Sequence, residues 1–331
     1  MNNNTFANMR TDLALEQREM LCEGRTDDSQ INGVEIETEE IGDITVTWVK
    51  IVNEQGEQAM GKPVGNYITI ESDAMKENDA EAHEVIIQIM AQKLGQLHKL
   101  NKDGTILAAG LGNWQVTPDA LGPKVIEKLL VTRHMNEIMP DELQDQLRSV
   151  AAIAPGVMGN TGIETGEIIK GVAEKIEPDL IVAIDALAAR RTSRINATIQ
   201  MTDTGINPGA GLGNMRMRLN KETLGVPVIA IGVPTVVDAA TLVNDTMDHM
   251  LKEMIKETPK GSAFYEMLME LEEDEKYGLI KDILNPYAGN MFVTPKEVDA
   301  VIDRLTNIIA NAVNIALHPG VDCGDINKYA Y

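Results

Sequence analysis

Two kinds of hydrophobic pattern divide this chain. From Gly33 to Glu40, Ile44 to Val52 and Tyr67 to Glu71, β-branched residues alternate with polar ones across Gly- and Asn-containing breaks. That period of two predicts half-buried antiparallel strands. Further on, the mostly apolar runs at 106–109, 149–154, 179–184 and 226–235 predict strands buried on both faces. Residues 195–201 resemble another strand. Helical stripes lie between and after these runs: Val85, Ile86, Ile89, Met90, Leu94 and Leu97 within 78–100, then Pro123 to Met139, Val236 to Ile255, and Val298, Val301, Ile302, Leu305, Ile308, Ile309 and Ala312. Strands that alternate with helices predict an α/β fold. The expectation is a mostly parallel sheet with helices on both faces, plus a small added antiparallel β subdomain at about 31–72, or the same strands extending one edge of the sheet. The first 30 residues are polar and read as an arm, with a short helix near Thr11 to Glu19 capped by Thr11 or Asp12. The charged stretch 257–290 reads as helical in pieces.

Composition narrows the classes. The 331 residues are 44% hydrophobic but only 3% aromatic, with 18 Met, so the core must be aliphatic and Met-rich. A formal charge of −22 argues against a nucleic-acid partner and against an anionic membrane surface. Cys22 and Cys323 lack zinc-site spacing and suit a reducing cytoplasm. The polar start has no signal-peptide core, and no continuous apolar run approaches ~20 residues.

Candidate chemistry gathers where apolar runs break. Ile106 to Ala109 stops at the turn Gly110-Leu111-Gly112-Asn113, Asp119 follows, and Leu121-Gly122-Pro123 opens a helical pattern. At the carboxyl end of a buried strand such a loop is a ligand site, which makes Asp119 a candidate for chemistry. A helix cap is the competing role for it. A second glycine loop, Pro155 to Gly162, contains Gly156, Gly159 and Thr161, with Glu164 at capping-box spacing from Thr161. With Gly112 and Asn113, these residues offer amides for a substrate carbonyl, or simply turn the chain. Asp185 directly follows an apolar run, and a buried carboxylate there needs a partner or a shifted pKa.

Other plans fail on residues. There is no Gly-x-Ser-x-Gly elbow and no His-Glu-x-x-His pair. Gly56 to Pro63 resembles a phosphate loop but has Pro63 where a hydroxyl is needed, and the glycine-rich 208–214 reads as a surface loop. Two aspartates at strand ends remain. Carboxylates a few ångströms apart share a proton and can activate water against an amide; the same oxygens suit a divalent metal. Spacing does not separate the two.

Longer motifs carry a resemblance. Gly110 to Asn113, Pro118 to Lys124, Pro155 to Gly159, Thr161 to Glu164, Ile184 to Arg190, Asn196 to Gln200, Gly232 to Ala239 and Val293 to Asp299 resemble the germination protease family of spore-forming bacteria, over about Arg10 to His318. The resemblance implies a self-processing endopeptidase, active in the spore-core or forespore cytoplasm, that degrades the small acid-soluble proteins coating spore DNA. It implies catalytic roles for Asp119 and Asp185 in an unusual aspartic mechanism, no obligatory cofactor, and a homotetramer. It also implies a propeptide arm, 1–12, cut between Asp12 and Leu13 from one peptidase domain, 13–331. The implied fold is phosphorylase/hydrolase-like and similar to that of hydrogenase-maturation endopeptidases, which bind nickel with acidic residues. The rivals are therefore a metal-dependent maturation-type peptidase and a non-catalytic binding or assembly protein whose aspartates only cap helices.

Overall fold

The computed structural model describes residues 11–22, 31–101, 103–135, 140, 145–209, 216–262, 266 and 291–324. Residues 1–10 of the arm, 210–214 of the glycine-rich loop and most of 263–290 lie outside them. In chain order come α1 (Ala14–Cys22), β1 (Val34–Ile41), β2 (Ile44–Ile51), α2 (Glu54–Met60), β3 (Gly65–Glu71), α3 (Ala80–Leu97), β4 (Thr105–Gly110) and α4 (Leu121–Glu127). They are followed by β5 (Ser149–Ile153), α5 (Met158–Thr161), α6 (Thr165–Ile176), β6 (Leu180–Ala189), β7 (Thr198–Thr202), α7 (Lys221–Leu224), β8 (Val228–Asp238), α8 (Ala239–Glu257), β9 (Phe292–Val293) and α9 (Val298–Leu317).

All nine strands join one sheet in the order β1-β2-β3-β7-β8-β6-β4-β5, with β9 on β8. Only β5-β4-β6-β8 is parallel; β1, β2, β3, β7 and β9 pair antiparallel. The sheet is therefore mixed, not mostly parallel. The early strands extend one edge of this sheet, the second of the two expectations, because β7 turns back between β3 and β8 and makes them continuous with the core. The tight connection at Gly42-Asp43 suits Gly42, whose φ of 59° is left-handed.

Strand alternation sends side chains to two cores. Ile106, Ala108, Val182, Ile184, Ile229 and Ile231 pack with α3, α4 and α9. Leu107, Ala109, Ile181 and Ala183 pack with α6 and α7 on the other face. Helices thus cover both faces, as the alternating pattern predicts. By length and composition α9 is apolar enough to cross a membrane, but its stripe Val301, Ile302, Leu305, Ile308, Ile309 and Ala312 is buried in the first core.

Four local expectations change. The helix expected from Pro123 to Met139 ends at Glu127, and 136–139 lie outside the described residues. Leu130 N instead donates to Asn314 Oδ1 at 2.9 Å, and Thr132 N to Val150 O at 3.0 Å, which pull the chain out of helical geometry. β6 does not stop before Asp185 but runs on to Ala189, because β8 continues to pair with it as far as Val237. Asp238 consequently caps α8 from outside, accepting from Ala240 N at 2.8 Å, rather than lying inside that helix. The Thr161–Glu164 capping box does not form: Thr161 bonds to Ile163 locally, and the Glu164 carboxylate accepts from Met217 N.

Candidate active site

Asp119 stands on a 3-10 turn, Thr117–Asp119, between β4 and α4. The turn is folded back on the strand end by Asn113 N, which donates to both the Asp119 carbonyl (3.1 Å) and its Oδ2 (2.8 Å). Gly112 makes this approach possible: its φ is 113°, and a Cβ there would lie on the Asp119 carbonyl oxygen. From β8, Thr235 Oγ1 donates to Pro118 O at 2.7 Å and fixes the other side of the turn. Asp119 does not cap α4, whose start has no side-chain cap. Burial raises its pKa, while the Asn113 amide and the Arg216 charge pull the other way.

Asp185 sits on the neighbouring strand, paired in register with Gly232 of β8, and only 6% of its surface is exposed. Its Oδ1 accepts from the next amide, Ala186 N, at 2.9 Å. Burial pushes its pKa well up, the Asp119 and Asp12 charges push it further, and the Ala186 amide and Arg216 oppose them. Asp185 thus feels the Asp119 charge, and the two line one cavity of about 360 Å³ between the turn that follows β4 and the middle of β6.

The cavity assembles distant pieces. Besides the two aspartates it is lined by Asp12, Gly112, Val157, Thr165, Leu187 and Arg216, and by Asn207, Pro208 and Gly209. Asp12 is fixed there by backbone pairing: its amide donates to Ala188 O at 3.2 Å, and its Oδ2 accepts from Ala188 N at 3.0 Å. Leu13 follows it fully buried. Gly156, Gly159 and Thr161 are not brought to the cavity; Gly156 contributes indirectly, its carbonyl accepting from Thr165 Oγ1 at 3.0 Å. The glycine-rich segment read as a surface loop flanks the cavity with its first residues. Arg216 escaped the sequence reading because no local pattern ties it to aspartates 97 and 31 positions away (216 less 119 and 185). Among the described residues no three His, Cys, Asp or Glu side chains form a metal-ligand group.

Comparison with known proteins places this site in context. The sequence profile of the germination protease family matches residues 12–263 and 253–330. The germination protease of Clostridium tetani is 54% identical over 321 residues, 97% of this chain and 99% of that protein. That of Clostridium acetobutylicum is 51% identical over 324 residues, 97% of this chain and 98% of that protein. A NiFe hydrogenase maturation protease from Thermococcus kodakarensis is a distant structural likeness at 18% identity and a TM-score of 0.31, covering 63% of this chain and 92% of that one.

Proposed function

This chain belongs to the germination protease family, and from that membership we propose that it is an atypical aspartic endopeptidase that degrades small acid-soluble spore proteins. The observation that carries the reading is the pair of aspartates, one on the turn after β4 and one within the adjacent strand β6, both with raised proton affinity, facing one cavity. Their unequal surroundings divide the roles. Asp119 is the less buried, and its Asn113 hydrogen bond favours the carboxylate, so it is the base that takes a proton from water. Asp185 is held most strongly as the acid, so it gives its proton to the leaving amide nitrogen. Water adds to the scissile carbonyl, the C–N bond breaks, and a carboxyl and an amine result.

The reading extends to a zymogen processed between Asp12 and Leu13, since Asp12 lines the same cavity. It also extends to a homotetramer in the spore-core cytoplasm. A divalent ion would have Asp119 and Asp185 as ligands and would supply an activated water. Asp12 lines the same cavity but its Oδ2 accepts from Ala188 N, and no three His, Cys, Asp or Glu side chains group as metal ligands among the described residues, so we favour the shared proton.

The assay is cleavage of a purified small acid-soluble spore protein. Asp119→Asn and Asp185→Asn should each lower the rate by a factor on the order of 10³ or more. Near-parental turnover in either variant removes the pair from the mechanism. Loss of activity with a chelator and recovery with a divalent ion would replace the shared proton by a metal.

A further inference from the structure

The Asp12–Leu13 peptide is gripped from both sides. The Asp12 carbonyl oxygen accepts from Lys62 Nζ at 2.9 Å and from Gln200 Nε2 at 3.3 Å. One residue past the bond, Ala14 N donates to Gln200 Oε1 at 2.6 Å. Gln200 is 7% exposed and belongs to a row across three strands: it pairs with Gly232, which pairs with Asp185. Lys62 comes from the turn after α2, directly beyond Gly61, whose left-handed φ of 62° closes that helix. Lys62, half-buried, gives its hydrogen bond, among the described residues, to a neutral carbonyl rather than a carboxylate; desolvation lowers its pKa, and the nearby Asp12 and Glu16 charges oppose that shift.

We infer that Lys62 and Gln200 are the oxyanion donors for hydrolysis of the Asp12–Leu13 bond, an assignment that rests on reading that bond as the processing site. As water adds to the Asp12 carbonyl carbon, the C=O electron pair moves onto the oxygen, and the two N–H donors already aimed at that atom receive the charge. Collapse returns the pair to carbon and releases the Leu13 nitrogen with a proton from the aspartate pair. An oxyanion needs preorganised donors on the oxygen that becomes charged, and these two are in place before reaction.

The arm also has docking contacts that this pair does not make. The Glu16 carboxylate, 1% exposed, accepts from Arg190 N (2.8 Å), Arg191 N (2.9 Å) and the Thr11 hydroxyl, and Leu13 and Ala14 are fully buried. That separation makes the assignment testable. In the full-length chain, loss of residues 1–12 is followed by intact mass, and amide exchange reports docking of 14–22. Removing one oxyanion donor should slow processing by about 10²-fold or more in Lys62→Met, with Lys62→Arg largely active and protection of 14–22 unchanged. Gln200→Leu should slow processing as well. Processing at the parental rate in both Lys62→Met and Gln200→Leu overturns the assignment, as does slowing that merely tracks lost protection. If the parent degrades its substrate but is not cut between Asp12 and Leu13, the processing reading fails first and the donors with it.

Discussion

Asp185 shows how a reactive group strains its own fold. Burial, and then the Asp119 and Asp12 charges, raise its pKa above the unfolded value. A group shifted this way adds stability below its unfolded pKa and loses it as pH rises through the folded one. At neutral pH the site therefore opposes folding. Asp185→Asn, which retains an acceptor for Ala186 N, should melt higher than the parent at pH 7, each kcal/mol relieved raising the midpoint by roughly 1–2 °C in a chain of this length. The difference should vanish below about pH 4, where an unfolded aspartate is protonated too. Equal melting at pH 7 would mean that the charge is better compensated than its surroundings indicate. At this scale the sequence reveals the aspartates, because a carboxylate at the end of an apolar run is chemically conspicuous. It hides Arg216, Lys62 and Gln200, whose meaning lies wholly in contacts that chain separation conceals.

At the scale of elements, the site depends on how closely α4 approaches the strand ends. Gly122, in its first turn, packs where a Cβ would meet the Leu111 and Ile184 carbonyl oxygens. Gly110 likewise faces the Gly122 carbonyl oxygen. These atoms are backbone and cannot rotate away, so Gly122→Ala must push α4 off β4 and β6. We expect about 1–3 kcal/mol of destabilisation in denaturant titration, and a larger proportional loss of peptidase activity because Asp119 moves with the turn. Retention of both would show that the helix tolerates displacement. The glycines were legible in the sequence as a turn after a strand and the start of a helix, but the contact between Gly110 and Gly122 was not. Strand lengths were less legible. Asp185 breaks the apolar run and so looked like a terminus, whereas continued pairing with β8 carries β6 through it to Ala189.

On the scale of the whole molecule, local periodicity announced strands and helices on two faces but carried no information on strand order. The position of β7 between β3 and β8 merges two predicted sheets into one. The same merger creates the bed on which the arm lies: the Arg194 guanidinium, just before β7, ties α1 to β3. Arg194 donates to Glu19 at 2.9 and 2.7 Å and to Glu71 of β3 at 2.7 Å, and approaches Glu16 at 3.6 Å. With Arg194 mostly buried, removing it takes its charge from Glu16, Glu19 and Glu71, although Glu19 keeps Arg191 at 3.4 Å; breaking a buried pair typically costs about 3–5 kcal/mol. Glu16 keeps the Arg190 and Arg191 amides, which places the cost for Arg194→Ala near the lower end, about 3 kcal/mol. Because the defect is confined to the docking of one helix, it should appear as local release rather than global unfolding. Limited proteolysis within 11–22 should accelerate on the order of 10²-fold, while the main thermal transition moves little. A fall in the main transition with no selective cleavage would instead make α1 an integral part of the fold, its docking inseparable from the folding of the sheet.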